Sequence, residues 1–125
     1  MSSQARILVL EDDSIMLELL CEALEGAGYE ARGAGRPELA VEMSSKIPFE
    51  MVISDIRMAG PTDGLGAIAG IKRYQPNVKV VMITGYASDD CPRRAIELQV
   101  DDYVHKPFRV PAMLDVVRRT LHRRS

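Results

Sequence analysis

From end to end, the chain alternates between apolar runs too short for helices and longer segments whose apolar residues recur at helical spacing. A strand buried on both faces reads as a continuous apolar run, because neither face meets water. Arg6-Ile-Leu-Val-Leu10, Glu50-Met-Val-Ile-Ser54 and Val78-Lys-Val-Val-Met-Ile83 are runs of this kind, and each stops at a polar or charged residue. Tyr29 to Gly33 is a weaker, Gly-terminated strand suited to a sheet edge, and Asp101 to Val104 is a short fifth strand.

Helical patterns fill the intervals. Ser14 can cap the first helix, whose core face is predicted as Ile15, Met16, Leu19, Leu20, Ala23 and Leu24, with an end at Gly26 to Gly28. Pro37 suits the first turn of a second helix running to about Ser45. A Gly- and Pro-rich loop, Ala59 to Gly64, leads to a third helix ending near Tyr74. Ser88 or Asp89 caps a fourth, to about Leu98, and Val110 to His122 forms the last. Five strands alternating with five helices argue for an α/β fold, a doubly wound parallel sheet covered on both faces. The whole chain, residues 1–125, is expected to be one domain.

Composition excludes several classes. Hydrophobic residues make up 46% and charged residues 27%, a balance suited to a packed domain. A net charge of −2 gives no overall attraction to nucleic acid or anionic lipid. Arg118, Arg119, Arg123 and Arg124 cluster near the last helix's C-terminus, where cations favour the dipole and a solvated face is expected. No apolar run approaches the roughly 20 residues that span a bilayer, and the N-terminus shows no signal-peptide pattern. Cys21 and Cys91 are too few for a disulfide framework and fit a reducing cytoplasm; Cys21 reads as a small core residue.

In a doubly wound sheet, ligands bind beyond the carboxyl ends of the strands. Glu11 and Asp12 follow strand one, Asp55 follows strand three, Thr84 follows strand four and Lys106 follows strand five. Carboxylates gathered this way repel one another unless a positive charge sits among them. Hard oxygen donors suit Mg²⁺, which keeps several waters and bridges readily to phosphate. With a lysine ammonium, a hydroxyl and a carboxylate nucleophile, the set suits phosphoryl transfer.

Four segments in order carry a closer likeness: Ile7-Leu-Val-Leu-Glu-Asp-Asp13, Val52-Ile-Ser-Asp-Ile-Arg-Met58, Val81-Met-Ile-Thr-Gly-Tyr86 and Asp101-Asp-Tyr-Val-His-Lys-Pro-Phe108. They resemble the receiver domain of bacterial two-component response regulators. The resemblance implies the CheY-like, flavodoxin-like strand order 2-1-3-4-5. It implies Asp55 as phosphoacceptor, taking its phosphoryl group from a sensor histidine kinase, a phosphotransfer protein or a small phosphodonor. Asp12 and Asp55 would ligate Mg²⁺ directly, Glu11 through water, and Arg57 through its backbone carbonyl; Asp13 stands outside that set. Lys106 would pair with phosphoryl oxygens, and Thr84 would move to donate a hydrogen bond to them. Tyr103 matches the switch aromatic that turns inward when the threonine moves, and the Lys106–Pro107 bond is expected to be cis. The predicted surface of the fourth helix, fifth strand and last helix would then be read by an output domain or downstream protein. Such a switch is no enzyme toward other substrates; it promotes only its own phosphorylation and dephosphorylation.

The chain departs from the family pattern in places. Ala59 stands where proline is common, and the loop to Asp63-Gly64 is one residue longer than the commonest form. Gln99-Val100 replaces a usual Gly-Ala pair, Gly85 leaves the phosphoryl position open, and Arg57 and Tyr86 sit where the family tunes phosphoryl lifetime. Ala112 and Val116 occupy two positions of the charge network that one dimerising branch uses. Competing readings are an unphosphorylated protein-interaction receiver, a Mg²⁺-dependent aspartyl phosphohydrolase and a flavin-binding domain. The second would place its nucleophile after strand one in an Asp-x-Asp pattern, which Glu11-Asp12-Asp13 does not provide. The third would want a Ser/Thr/Gly phosphate loop there. No DNA-reading module fits within the chain.

Overall fold

The computed structural model describes residues 4–58, 63–85 and 98–123. Its strands are β1 (Arg6–Leu10), β2 (Glu30–Ala34), β3 (Met51–Asp55), β4 (Lys79–Thr84) and β5 (Asp102–His105). They form one parallel sheet in the order β2-β1-β3-β4-β5. Among the described residues the helices are α1 (Ser14–Gly26), α2 (Pro37–Ser44), α3 (Gly64–Tyr74) and α4 (Val110–His122). The helix expected to start at Ser88 or Asp89, and with it Cys91 and Tyr86, lies outside the described residues, as do positions 59–62 of the Gly/Pro loop.

Alternate residues of each strand face opposite sides, so the continuous apolar runs build two cores. Leu8, Leu10, Val52, Val80 and Met82 pack against Ala40 of α2 and Leu65, Ile68 and Ile71 of α3. Ile7, Val9, Ile53, Val81 and Ile83 pack against Leu20 and Leu24 of α1 and Met113 and Val117 of α4. Cys21 is half-buried against this second core, and burial pushes its thiol pKa up.

Two expectations for α1 are corrected. Asp13, one residue earlier than the predicted Ser14, is the cap: its Oδ1 accepts from the backbone amides of Ile15 at 3.0 Å and Met16 at 3.1 Å. Ile15 and Leu19 are not core residues, with exposures of 80% and 44%. The buried stripe runs instead through Leu20 and Leu24, flanked by Leu17 and Cys21. The apolar face of α1 is therefore wider than its contact with the sheet.

The basic end of α4 is tied down locally. Arg118 and Arg119 both pair with Asp115, and Arg123 lies 3.6 Å from Asp102 while donating to the Asp101 carbonyl at 3.1 Å. Lys79 donates to the Arg123 carbonyl at 2.8 Å, closing the helix end.

Gln99 carries the one left-handed backbone conformation of a non-glycine residue among those described, at φ 58°. A side chain with a Cβ is disfavoured there and glycine is not. We expect Gln99→Gly to stabilise the domain by about 1 kcal/mol, seen as a higher urea midpoint with an unchanged slope; a lower midpoint would contradict the strain.

Candidate site at the carboxyl ends of the strands

Parallel strands end together, so residues far apart in sequence meet along one edge of the sheet. Asp55 is the last residue of β3, 6% exposed, and Glu11 follows β1, 2% exposed. The Lys106 ammonium reaches both, 2.6 Å from Asp55 Oδ2 and 3.9 Å from Glu11 Oε1. Lys106 is placed by the sheet, its amide donating to the Thr84 carbonyl at 2.8 Å just past the end of β5. The Lys106–Pro107 bond is cis, as expected.

The remaining Asp55 oxygen, Oδ1, accepts from the Arg57 amide at 3.1 Å, folding the chain sharply after β3. Gly64 completes that turn: its amide donates to the Ile56 carbonyl at 2.9 Å, and a Cβ there would stand 1.9 Å from the Asp55 carbonyl oxygen. Only glycine permits so close an approach. Asp63 caps α3 beside it, its Oδ1 accepting from the Gly66 amide at 2.7 Å. The sequence signal for Gly64 was its place in the turn after Asp55, but nothing in spacing revealed the contact.

Thr84 ends β4, nearly buried. Asp12, next to Glu11 in the chain, is exposed. Asp13, besides capping α1, donates its amide to Glu11 Oε2 at 3.1 Å and so helps fix that carboxyl. Tyr103 is half-buried against the α2–α3 core.

Burial pushes the Glu11 carboxyl up to about 7, with the nearby Asp55 charge adding to the rise and the Asp13 amide and Lys106 opposing it. Burial works against the Lys106 charge, but the hydrogen bond and charge of Asp55, with the charges of Glu11 and Asp12, outweigh it and hold its pKa above the ordinary lysine range.

Among the described residues, no group of three His, Cys, Asp or Glu side chains is arranged to hold a metal ion. The expected ligand set is of another kind, two carboxylates with a backbone carbonyl and a water-mediated glutamate. The donor chemistry fits a hard cation: Glu11 Oε1 is buried and accepts no hydrogen bond, beside a second, nearly buried carboxylate.

Residues 7–118 match the response regulator receiver domain. The chain belongs to this family. The receiver is 33% identical over 115 residues to the response regulator protein FleR of Pseudomonas aeruginosa, a match covering 92% of this chain and 24% of FleR. The chain thus spans about a quarter of that relative's length. Its fold matches a CheY-like receiver domain protein from Methanospirillum hungatei at a TM-score of 0.90 and 26% identity, covering 95% of this chain and 94% of that one. A response regulator from Burkholderia pseudomallei, 29% identical with a TM-score of 0.80, covers 89% of this chain and 65% of that one; it was solved with a phosphorylated aspartic acid, a calcium ion and citrate. No helix among the receiver's described residues is long and apolar enough to cross a membrane.

The Glu11 proton gives a stability signature. Its folded pKa, about 7, lies above the ordinary 4.5, so the folded state binds that proton more tightly. The contribution is complete below about 4.5 and is lost as pH rises through about 7. We expect metal-free wild type to lose stability relative to Glu11→Gln across that interval in urea titrations. Parallel pH profiles for the two proteins would contradict the assignment.

Proposed function

We propose that residues 1–125 form one receiver domain that takes a phosphoryl group onto Asp55 in the cytoplasm and works as a switch. The observation that carries this reading is the Asp55–Lys106 contact at 2.6 Å beside the buried Glu11 carboxyl. The phosphorylated aspartic acid in the Burkholderia regulator supports it by likeness. The donor would be the phosphohistidine of a sensor histidine kinase or phosphotransfer protein.

Asp55 Oδ2 attacks phosphorus, and the bond to the leaving group breaks in line. Lys106 moves with the charge, from the carboxylate to the phosphoryl oxygens. The Arg57 amide keeps Asp55 Oδ1 fixed, so one carboxylate oxygen is held while the other reacts. Mg²⁺, held by Asp12, Asp55 and the Arg57 carbonyl with Glu11 through water, would neutralise charge on the transferring group.

The phosphoryl group adds about −1.5 to −2 charge and new acceptor oxygens. Thr84 turns to donate to one of them, and Tyr103 on the neighbouring strand moves further inward. β5 and the elements flanking it then present a changed surface to an output domain or downstream protein.

Incubation with phosphoramidate and Mg²⁺, read by intact-protein mass spectrometry, should add one phosphoryl group to the wild type and none to Asp55→Asn. Lys106→Ala should slow labelling by about 100-fold, the usual effect of removing one donor to developing charge. Undiminished labelling of Asp55→Asn would refute the phosphoacceptor assignment. A folded wild type that takes no phosphoryl group would favour a receiver that only binds partners.

A further inference from the structure

A groove of about 510 Å³ opens beside the Asp55–Lys106 pair, between the start of α1 and the segment joining β5 to α4. Its walls are Met16 and Leu19 from α1 and Phe108 and Val110 from the far side. Lys106 and Gly85 also line it, and Lys106 is the one charged residue among the described lining residues. Leu19 is 44% exposed, so a large apolar group stands open to solvent at this wall. The volume suits a small ligand, and mixed pockets of this kind bind molecules with one anionic end and one apolar end.

We propose that the groove receives the acyl group of a small acyl phosphate, and that the receiver prefers donors with a short hydrocarbon chain over acetyl phosphate. This rests on the phosphoacceptor reading of Asp55. In-line transfer puts the leaving group on the side of phosphorus away from Asp55. Lys106 serves both places, its ammonium touching Asp55 at 2.6 Å while the residue itself lines the groove, so an anion drawn to that ammonium can set its other end among the apolar walls. Gly85 contributes no side chain at that junction: even a Cβ there would come no closer than 3.9 Å to Lys106.

The chemistry balances without a further reactant. An Asp55 carboxylate oxygen forms the new P–O bond. The bond between phosphorus and the acyl oxygen breaks, and the electron pair leaves with the carboxylate product. Acetate and butyrate are closely matched leaving groups, so a difference between their phosphates reports binding of the chain and not intrinsic reactivity.

Rates of Asp55 phosphorylation, followed by mass spectrometry with Mg²⁺ present, should be compared for phosphoramidate, acetyl phosphate and butyryl phosphate. Two further, partly buried methylenes correspond to a KM about tenfold lower for butyryl than for acetyl phosphate, with similar maximal rates. Leu19→Ser, on an exposed helix face, should close most of that gap and leave phosphoramidate labelling unchanged. Phe108→Ala, checked for folding by circular dichroism, should act in the same direction. Equal KM values for the two acyl phosphates in wild type would overturn the donor assignment alone, as would a gap that survives both substitutions. Failure of every donor, phosphoramidate included, to label Asp55 would overturn the phosphoacceptor reading and this assignment with it.

Discussion

Too much negative charge is concentrated at one end of this sheet for the charge to be idle. The Lys106 ammonium meets Asp55 and Glu11, and the charge of Asp12 acts on it as well. At roughly 4 Å a pair of unit charges near a protein surface interacts by about 4 kcal/mol before desolvation is counted. That is a large part of the stability of a small domain. One lysine cannot offset three carboxylates, so the cluster must either hold a proton or attract another cation. Glu11 leans toward the first of these outcomes: burial above all, with the Asp55 charge adding to it, raises its carboxyl to about 7. A divalent ion would be the second, and a phosphoryl group delivered with it would give Lys106 a new anion to follow.

The fold tolerates this concentration because it is rigid where the charges sit. Parallel register aligns Leu10 with Ser54, Asp55 with Ile83 and Thr84 with His105, which brings the strand ends into one row. The two apolar cores then hold that row from both faces. Gly64 presses against the Asp55 carbonyl, and the Arg57 amide grips the Asp55 side chain, so the carboxylate has little freedom to turn aside. Far from this edge, the Gln75 side-chain amide accepts from the Phe49 amide and donates to the Ser44 and Ile47 carbonyls, bracing the connection that leads into β3.

The sheet and the outline of the site were legible because both follow from local rules. Continuous apolar runs of strand length have few other uses, and a polar residue at the end of each run marks the ligand edge. Asp55, Glu11 and Lys106 meet as that rule expects. What could not be read depended on close distances between elements. Ile15 and Leu19 follow the helical spacing of a core face, yet α1 packs through Leu20 and Leu24 and leaves them exposed. Ser14 and Asp13 are both good caps, and the choice turned on a single residue of register. The bracing by Gln75 and the steric demand at Gly64 belong to tertiary contact, which leaves no periodic trace.

A switch of this kind needs the strand-end carboxylates to form one cation site beside Asp55. Titration of metal-free receiver with Mg²⁺, followed by amide NMR, tests it most directly. Saturable shifts concentrated at Glu11 to Asp13 and Asp55 to Arg57 are expected. No saturable change, or shifts centred elsewhere on the molecule, would contradict it.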